Sequence, residues 1–271
     1  MMKRAITVCL AVTMVWAAGA QALPVQVLTM HFDNVAALGE NYTAGGLVRD
    51  VSGYGNDGHL SSVPGVPAWT ASGKYGGAFD FTGNGTTSGQ SILVHHGASL
   101  NPGSGDFAIS LWIRTRADYD GDILRKGSIA SGADTWYKLE HSPAASNNKL
   151  SLNFNTNGTD ATINSTSAYS DNQWHFVVGQ RRGSQAELWI DGVLDGTASV
   201  SGSIANLANL AIGSKDTLDD DFLNSALDDV MIFGGSLSQA EIQQLYHAVP
   251  EPVTLVTLGL GGLALLRKRR A

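Results

Sequence analysis

Five glutamates, Glu40, Glu140, Glu187, Glu241 and Glu251, are spread along the chain with no two within six residues of each other. A retaining glycosidase needs two carboxyls about 5 to 5.5 Å apart. Glu187 and Asp191 would share a strand face, but positions i and i+4 on a strand stand about 13 Å apart. Asp191 also belongs to an Asp-Gly turn. The histidines form no better centre. His95 and His96 are adjacent and so face opposite sides of any strand, while His31 and His175 sit beside aromatic residues in strand-like runs, where packing or a hydrogen bond is the expected role. No serine elbow, phosphate-binding glycine loop or H-E-x-x-H site is present. DTLDDD (Asp216 to Asp221) holds four acids in six residues without the spacing of an EF-hand, and reads as solvated loop charge. No enzyme is expected.

Binding chemistry remains. Aromatic rings can stack on the faces of sugars, with Asp, Asn and glycine backbone groups around them. The chain offers Trp69, Trp112, Trp136, Trp174 and Trp189, with Tyr54, Tyr75, Tyr119, Tyr137 and Tyr169. Most such residues pack in cores or cover sheets. Tyr119, in RADYDGD, and Trp136, beside the glycine-rich loop from Gly127 to Asp134, are the glycan-binding candidates.

These residues fall in or between short runs with the period of strands, among them VQVLTMHF, FAISLWIRT, WYKLEH, KLSLNFN, WHFVVGQ and LDDVMIF, separated by clusters of Gly, Asn, Asp, Ser and Pro. In FAISLWIRT, Phe107, Ile109, Leu111 and Ile113 alternate with Ala108, Ser110, Trp112 and Arg114. In AELWIDGVLDG, Asp191-Gly192 predicts a hairpin turn, with Leu188 and Ile190 opposite Trp189. About ten to thirteen strands of this kind exceed what one open sheet holds without curling, so two packed antiparallel sheets are expected. Asn153 to Ser170 is polar enough for a long loop or weak edge strands. One helix is predicted in SLSQAEIQQLYHA, where Ser238 and Glu241 form a capping box, Leu237 staples onto Ile242, and Ile242, Leu245 and Tyr246 make an apolar stripe.

The ends differ from this body. Residues 1–22 have the basic start, apolar stretch and Ala20-Gln21-Ala22 cleavage site of a secretory signal, and contain the one cysteine, Cys9. Cleavage would leave a thiol-free protein. The body, 23–248, carries 11 basic and 23 acidic residues, net -12, against -7 for the whole chain. Such a charge excludes a nucleic-acid partner. In 249–271, Pro250-Glu251-Pro252 precedes the 14 apolar residues from Val253 to Leu266, followed by RKRR. As a helix this segment would be about 21 Å long, a short transmembrane segment whose basic end stays cytoplasmic.

This tail resembles the PEP-CTERM sorting signal. The resemblance implies an exosortase-type processing enzyme as partner, with Pro250, Glu251 and Pro252 as its sorting motif. It also implies transient inner-membrane contact and delivery to the cell surface or extracellular matrix. The body, from about Leu28 to His247, is similar to the laminin G-like jelly rolls of the concanavalin A-like lectin/glucanase superfamily. The matching pieces are HFDN, RDVSGYGNDGHL, GKYGGAFDFTGNG, FAISLWIRT, DNQWHFVVGQRRGSQAELWIDGVLDG, LAIGSK and ALDDVMIFGGSLSQAEIQQLY. The expected fold is an all-β, two-sheet antiparallel sandwich, with a short hydrophobic helix at the C-terminal end.

The resemblance also implies a structural Ca2+ that clips the first strand region to the penultimate strand, with Asp228 at a ligand position. Asp33, Asp50, Asn56, Asp57, Asp228 and Asp229 are the candidate metal ligands. Hard oxygen donors suit calcium, where His or Cys would suit zinc. The alternative for Asn56 and Asp57 is a set of Asx turns. If Leu227 and Val230 face different ways, one acid of the Asp228-Asp229 doublet must point to the interior or its rim, where a bare carboxylate is costly. Two functions fit these features: a noncatalytic module binding exopolysaccharide or cell-surface glycan, and a structural or adhesive surface protein with protein partners.

Overall fold

The alternation in FAISLWIRT becomes a division between two cores. Phe107, Ile109, Leu111 and Ile113 enter the main core, and Ala108 and Trp112 join a second cluster on the opposite face. Full burial of each large apolar side chain contributes about 1.5–3 kcal/mol. The computed structural model describes residues 22–248, apart from 63–64, 117–120, 129–133, 143–147 and 158. The proposed hydrophobic tail, the sorting motif at 250–252 and the signal segment through residue 21 lie outside the described residues.

Sixteen strands occur among the described residues. They are β1 (Gln26–Met30), β2 (Leu47–Val48), β3 (Gly58–Leu60), β4 (Ala68–Thr70), β5 (Ala78–Asp80), β6 (Ile92–Val94), β7 (Phe107–Thr115) and β8 (Gly121–Lys126), then β9 (Thr135–Ser142), β10 (Lys149–Thr156), β11 (Asp160–Asn164), β12 (Trp174–Arg182), β13 (Gln185–Ile190), β14 (Val193–Ser199), β15 (Leu210–Ile212) and β16 (Ser225–Phe233). The first sheet runs β14-β13-β12-β7-β16-β5-β4, with β1 also on β16; the second runs β11-β10-β9-β8-β15-β6-β3-β2. Every pairing is antiparallel, for example Val177 to Leu111 and Leu152 to Leu139. Side chains between the sheets form the main core, so the expected two-sheet sandwich is the fold. Asn153 to Ser170 holds the end of β10 and the edge strand β11, in register from Ser151–Asn164 to Asn155–Asp160, followed by a loop over 165–170.

The helix α1 (Gln239–His247) follows β16, and its capping box is complete: the Ser238 N–H donates to Glu241 Oε2 at 2.6 Å and the Glu241 N–H donates to Ser238 Oγ at 3.3 Å. Leu237 and Ile242 are both fully buried in the second cluster, as a hydrophobic staple requires. The helix lies on the outer face of the first sheet, where Tyr246 stacks on Trp112 with centroids 5.8 Å apart. Trp112 is therefore a sheet residue covered by a helix. The Asp191-Gly192 turn has φ of 51° and 77°, the left-handed pair of a two-residue hairpin.

Candidate functional site

The Asp228-Asp229 doublet sits in a bulge of β16, where the register against β7 shifts between Asp228 and Met231 and Asp229 takes φ 48°. The extra residue keeps Leu227 and Val230 on the same face, both in the main core. This corrects the expectation built on their facing different ways. Both acids meet the edge of β1 and the turn 73–77 instead. Asp228 Oδ2 accepts from the Tyr75 N–H at 2.9 Å, Asp33 Oδ1 accepts from the Gly77 N–H at 3.0 Å, and Asp229 bonds the His31 ring at 2.5 Å. The turn must be glycine-rich: a Cβ at Gly76 would come 2.1 Å from Asp33 Oδ1, and one at Gly73 would come 2.7 Å from Asp228 Oδ2.

Asp228 is fully buried, and its Oδ1 has no hydrogen-bond partner. Burial, with Asp229 alongside, pushes its carboxyl up to about 8. Burial alone would lower the His31 imidazole, but the bond to Asp229 and the charges of Asp229, Asp33 and Asp228 hold it above its ordinary value. The donor chemistry of Asp33, Asp228 and Asp229 fits a hard cation, and the orphaned Oδ1 is the atom such an ion would satisfy. Among the described residues no three His, Cys, Asp or Glu side chains are grouped closely enough to hold a metal ion together. Backbone carbonyls and water would have to complete the shell.

Asp50, Asn56 and Asp57 form a separate group. Asp50 accepts from the N–H groups of Thr29, Ser52 and Asn56, all at 2.9 Å. Asp57 accepts from the Asp50 N–H at 2.8 Å and from Arg49 Nη1 at 2.6 Å, and Asn56 Nδ2 donates to the Val27 carbonyl at 2.6 Å. The Asp50 and Asp57 carboxylates are engaged in folding the turn, and the Asn56 amide ties it to β1; only Asp50 makes an Asx turn, to the Ser52 N–H.

The outer face of the second sheet carries a different chemistry. In TWYKLEHS, Tyr137 and Leu139 enter the core, which turns Trp136, Lys138 and Glu140 outward; in KLSLNFNT, Leu150, Leu152 and Phe154 go in and Ser151, Asn153 and Asn155 go out. A polar network crosses four strands. Arg125 Nη1 meets Asp221 at 3.3 Å and donates to Asp122 Oδ2 at 3.0 Å. Lys138 bridges Asp122, at 3.2 Å, and Glu140. Asn153 Nδ2 donates to Glu140 Oε1 at 2.7 Å, and Thr162 Oγ1 donates to Asn153 Oδ1 at 2.6 Å. Burial works against the Lys138 charge, yet Asp122 and Glu140 hold its ammonium above the usual lysine range. Burial and the charge of Asp122 push Asp221 up to about 6. Trp136 stands at one end of this network, half-buried, with the Arg125 guanidinium 5.6 Å from its ring. Tyr119 lies outside the described residues.

The remaining candidates have structural work. His175 bonds Asp191 at 2.8 Å and Asp171 at 3.2 Å, and Glu187 accepts from Gln180 at 2.7 Å and from the Trp189 indole at 2.9 Å. Asp122, Arg125, Lys138, Glu140 and Asn153 were not singled out from the sequence. For Lys138, Glu140 and Asn153 the outward alternation in WYKLEH and KLSLNFN was the available signal, but Asp122 and Arg125 lie in the bulged β8, and pairing all three strands in register was needed to see one surface.

The chain matches the family model of the concanavalin A-like lectin/glucanases superfamily over residues 84–243 and belongs to that superfamily. Among curated proteins none matches it. It is similar in structure to the binding domain of Paraclostridial Mosquitocidal Protein 1, with a TM-score of 0.61 at 18% identity, covering 82% of this chain and 51% of that one. It is also similar to the binding domain of botulinum neurotoxin DC, solved in complex with rat synaptotagmin II and with SialylT. There the TM-scores are 0.61 and 0.60, each at 16% identity, covering 83% of this chain and 52% and 51% of those chains. The chain spans about half the length of these structures, and the likeness is one of fold.

Proposed function

We propose that this protein is a noncatalytic glycan-binding module, displayed outside the inner membrane after export and processing by an exosortase-type enzyme. The observation that carries the reading is the polar network across the outer face of the second sheet, with Trp136 at its end. Side-chain amides, carboxylates and cations at fixed spacing match the alternating donors and acceptors of sugar hydroxyls, and an aromatic edge supplies the apolar contact. Asp122 and Glu140 share Lys138, and Arg125 and Asn153 take further oxygens. This engagement favours a binding surface over an acid and nucleophile pair. The neurotoxin DC binding domain, captured with SialylT, gives a precedent for a sugar ligand on a related fold. The same domain with synaptotagmin II supports the second reading, a surface protein that takes a protein partner.

Calcium is proposed at Asp33, Asp228 and Asp229, where it would hold the β1 edge to the bulge of β16 and neutralise the buried pair. A glycan array probed with the purified protein, with and without chelator, tests both statements. Binding to glycans that is lost in Trp136→Ala is expected; an empty array would leave the protein-partner reading in its place.

A further inference from the structure

At one end of the second sheet a cleft of about 750 Å³ opens between the start of β9, the end of β10 and the segment 202–208. Its size falls within the roughly 300 to 1,000 Å³ of small-ligand sites. Thr135 and Thr156, paired across β9 and β10, line it, and the next pair along those strands is Trp136 and Asn155. Thr135 and Thr156 share the strand parity of the core residues Tyr137 and Phe154, so the cleft opens on the core side of the strand ends, one residue beyond the outward pair Trp136 and Asn155.

The far wall is held from beneath by a buried lysine. Lys126, with no exposed surface, donates from Nζ to the Asn206 carbonyl at 3.1 Å, to Asn206 Oδ1 at 3.0 Å and to the Ala208 carbonyl at 2.7 Å. Asn206 Nδ2 donates to the Thr135 carbonyl at 3.1 Å, and Thr135 Oγ1 donates to the Ala205 carbonyl at 2.8 Å. Arg181 Nη1 fixes the Gly202 carbonyl at 2.6 Å. Burying an ammonium group is expensive unless its hydrogen bonds are met, and here they are met by carbonyls of one surface segment. That segment is consequently set before any ligand arrives, which lowers the entropy lost on binding.

The groups turned to the cleft complement a sugar. The Asp134 carboxylate and the Asn157 amide enter no side-chain hydrogen bond among the described residues. Leu207, 81% exposed, offers an apolar surface at the mouth. A carboxylate accepts from hydroxyls, an amide both donates and accepts, and a leucine covers the C–H face of a ring. Among the described lining residues there is one carboxylate and no cation. We infer that this cleft is a subsite for an uncharged saccharide unit, taking the end of a glycan chain that turns over the strand ends from the outer face of the second sheet. The inference rests on the glycan reading and specifies it further: neutral chains over uronate or sialylated ones.

The test titrates the full chain, Leu207→Asp, Asn157→Ala and Trp136→Ala with neutral gluco- and manno-oligosaccharides of four to six units and with an oligouronate of matching length. Thermal unfolding checks that the exposed substitutions leave the fold intact. The inference expects a neutral oligosaccharide to bind, Leu207→Asp and Asn157→Ala each to weaken it about tenfold, and the oligouronate to bind at least about tenfold more weakly. Neutral binding lost in Trp136→Ala but unchanged in both cleft variants would overturn the cleft alone and leave the glycan face standing. Tighter binding of the oligouronate would overturn the choice of neutral ligand. No binding of any of these probes by the unaltered chain would sink the glycan reading and the cleft with it.

Discussion

At the scale of single residues, Asp228 is the group whose environment asks most of it. Its carboxyl, pushed up to about 8 by burial and by Asp229, keeps a proton in the folded state that the unfolded chain would release near 3.8. The folded state thus binds more protons between those values, and on this group alone metal-free stability falls as pH rises from about 4 to about 8. Calcium would displace that proton. Millimolar calcium over a site of about 10 μM would add about 2.7 kcal/mol. Asp228→Asn should keep the metal-free melting temperature, since the amide carries no buried charge, and should lose most of the calcium-dependent rise. A wild-type melting curve that ignores chelator would remove calcium from this site. His175 gives a second pH signature. The hydrogen bond to Asp191 raises it above 6.5; Asp171 is burdened by burial, but the Gln173 N–H and His175 hold it below 3.8. The raised histidine stabilises fully below 6.5 and less as pH passes its folded value, and the depressed aspartate stabilises above 3.8 and less as pH falls through its own. This clasp is therefore strongest between about 4 and 6.5. Denaturant midpoints at pH 5.5 and 8.5 should differ less in His175→Gln than in the unaltered protein.

Elements show where the sequence was readable and where physics hid it. Strands of eight or nine residues with clean alternation, β7, β9 and β10, declare both their type and their core-facing side, whereas β12 is buried on both faces and declares only its type. By contrast β2 to β4, two or three residues each, are too short for a period to register. In β8, a bulge between Asp122 and Leu124 places Ile123 and Leu124 both in the core and breaks the period of two. The bulge at Asp228-Asp229 defeats the same rule in β16, which is why the acids could be named as a pair but not aimed. The candidate metal group was legible as residue types; its division into one hydrogen-bonded turn and one strained carboxylate pair depended on the register. The helix was legible in full because its signals are local. Ser238→Ala should remove the cap at a cost of about 1 kcal/mol. Trp112→Ala, which empties the space beneath Tyr246, should cost about 3 to 5 kcal/mol. Equal effects of the two substitutions on urea midpoints would mean that α1 does not seal the first sheet.

Across the whole molecule, the two outer faces of the sandwich differ in what covers them. The outer face of the first sheet is closed by α1, and Leu23 packs into the same cluster as Leu245 and Tyr246. The proposed signal junction and the proposed sorting tail thus attach at one side, behind the first sheet, while the polar face of the second sheet looks the opposite way. A domain held transiently by its C-terminal segment would present the proposed glycan face away from the membrane, and release would not require that face to rearrange. In the proposed sorting motif prolines flank Glu251, a composition that disfavours continuing a helix or a regular strand. The 14-residue apolar stretch behind it holds three glycines and is short against a bilayer core of about 30 Å, properties of a weak permanent anchor. Intact-mass measurement of the protein recovered from the surface of an exosortase-positive host should therefore show both the first 22 residues and the RKRR end missing. If the correctly localised protein still carries RKRR, the tail is an ordinary anchor, and the second sheet faces outward from a fixed membrane attachment in place of a released matrix protein.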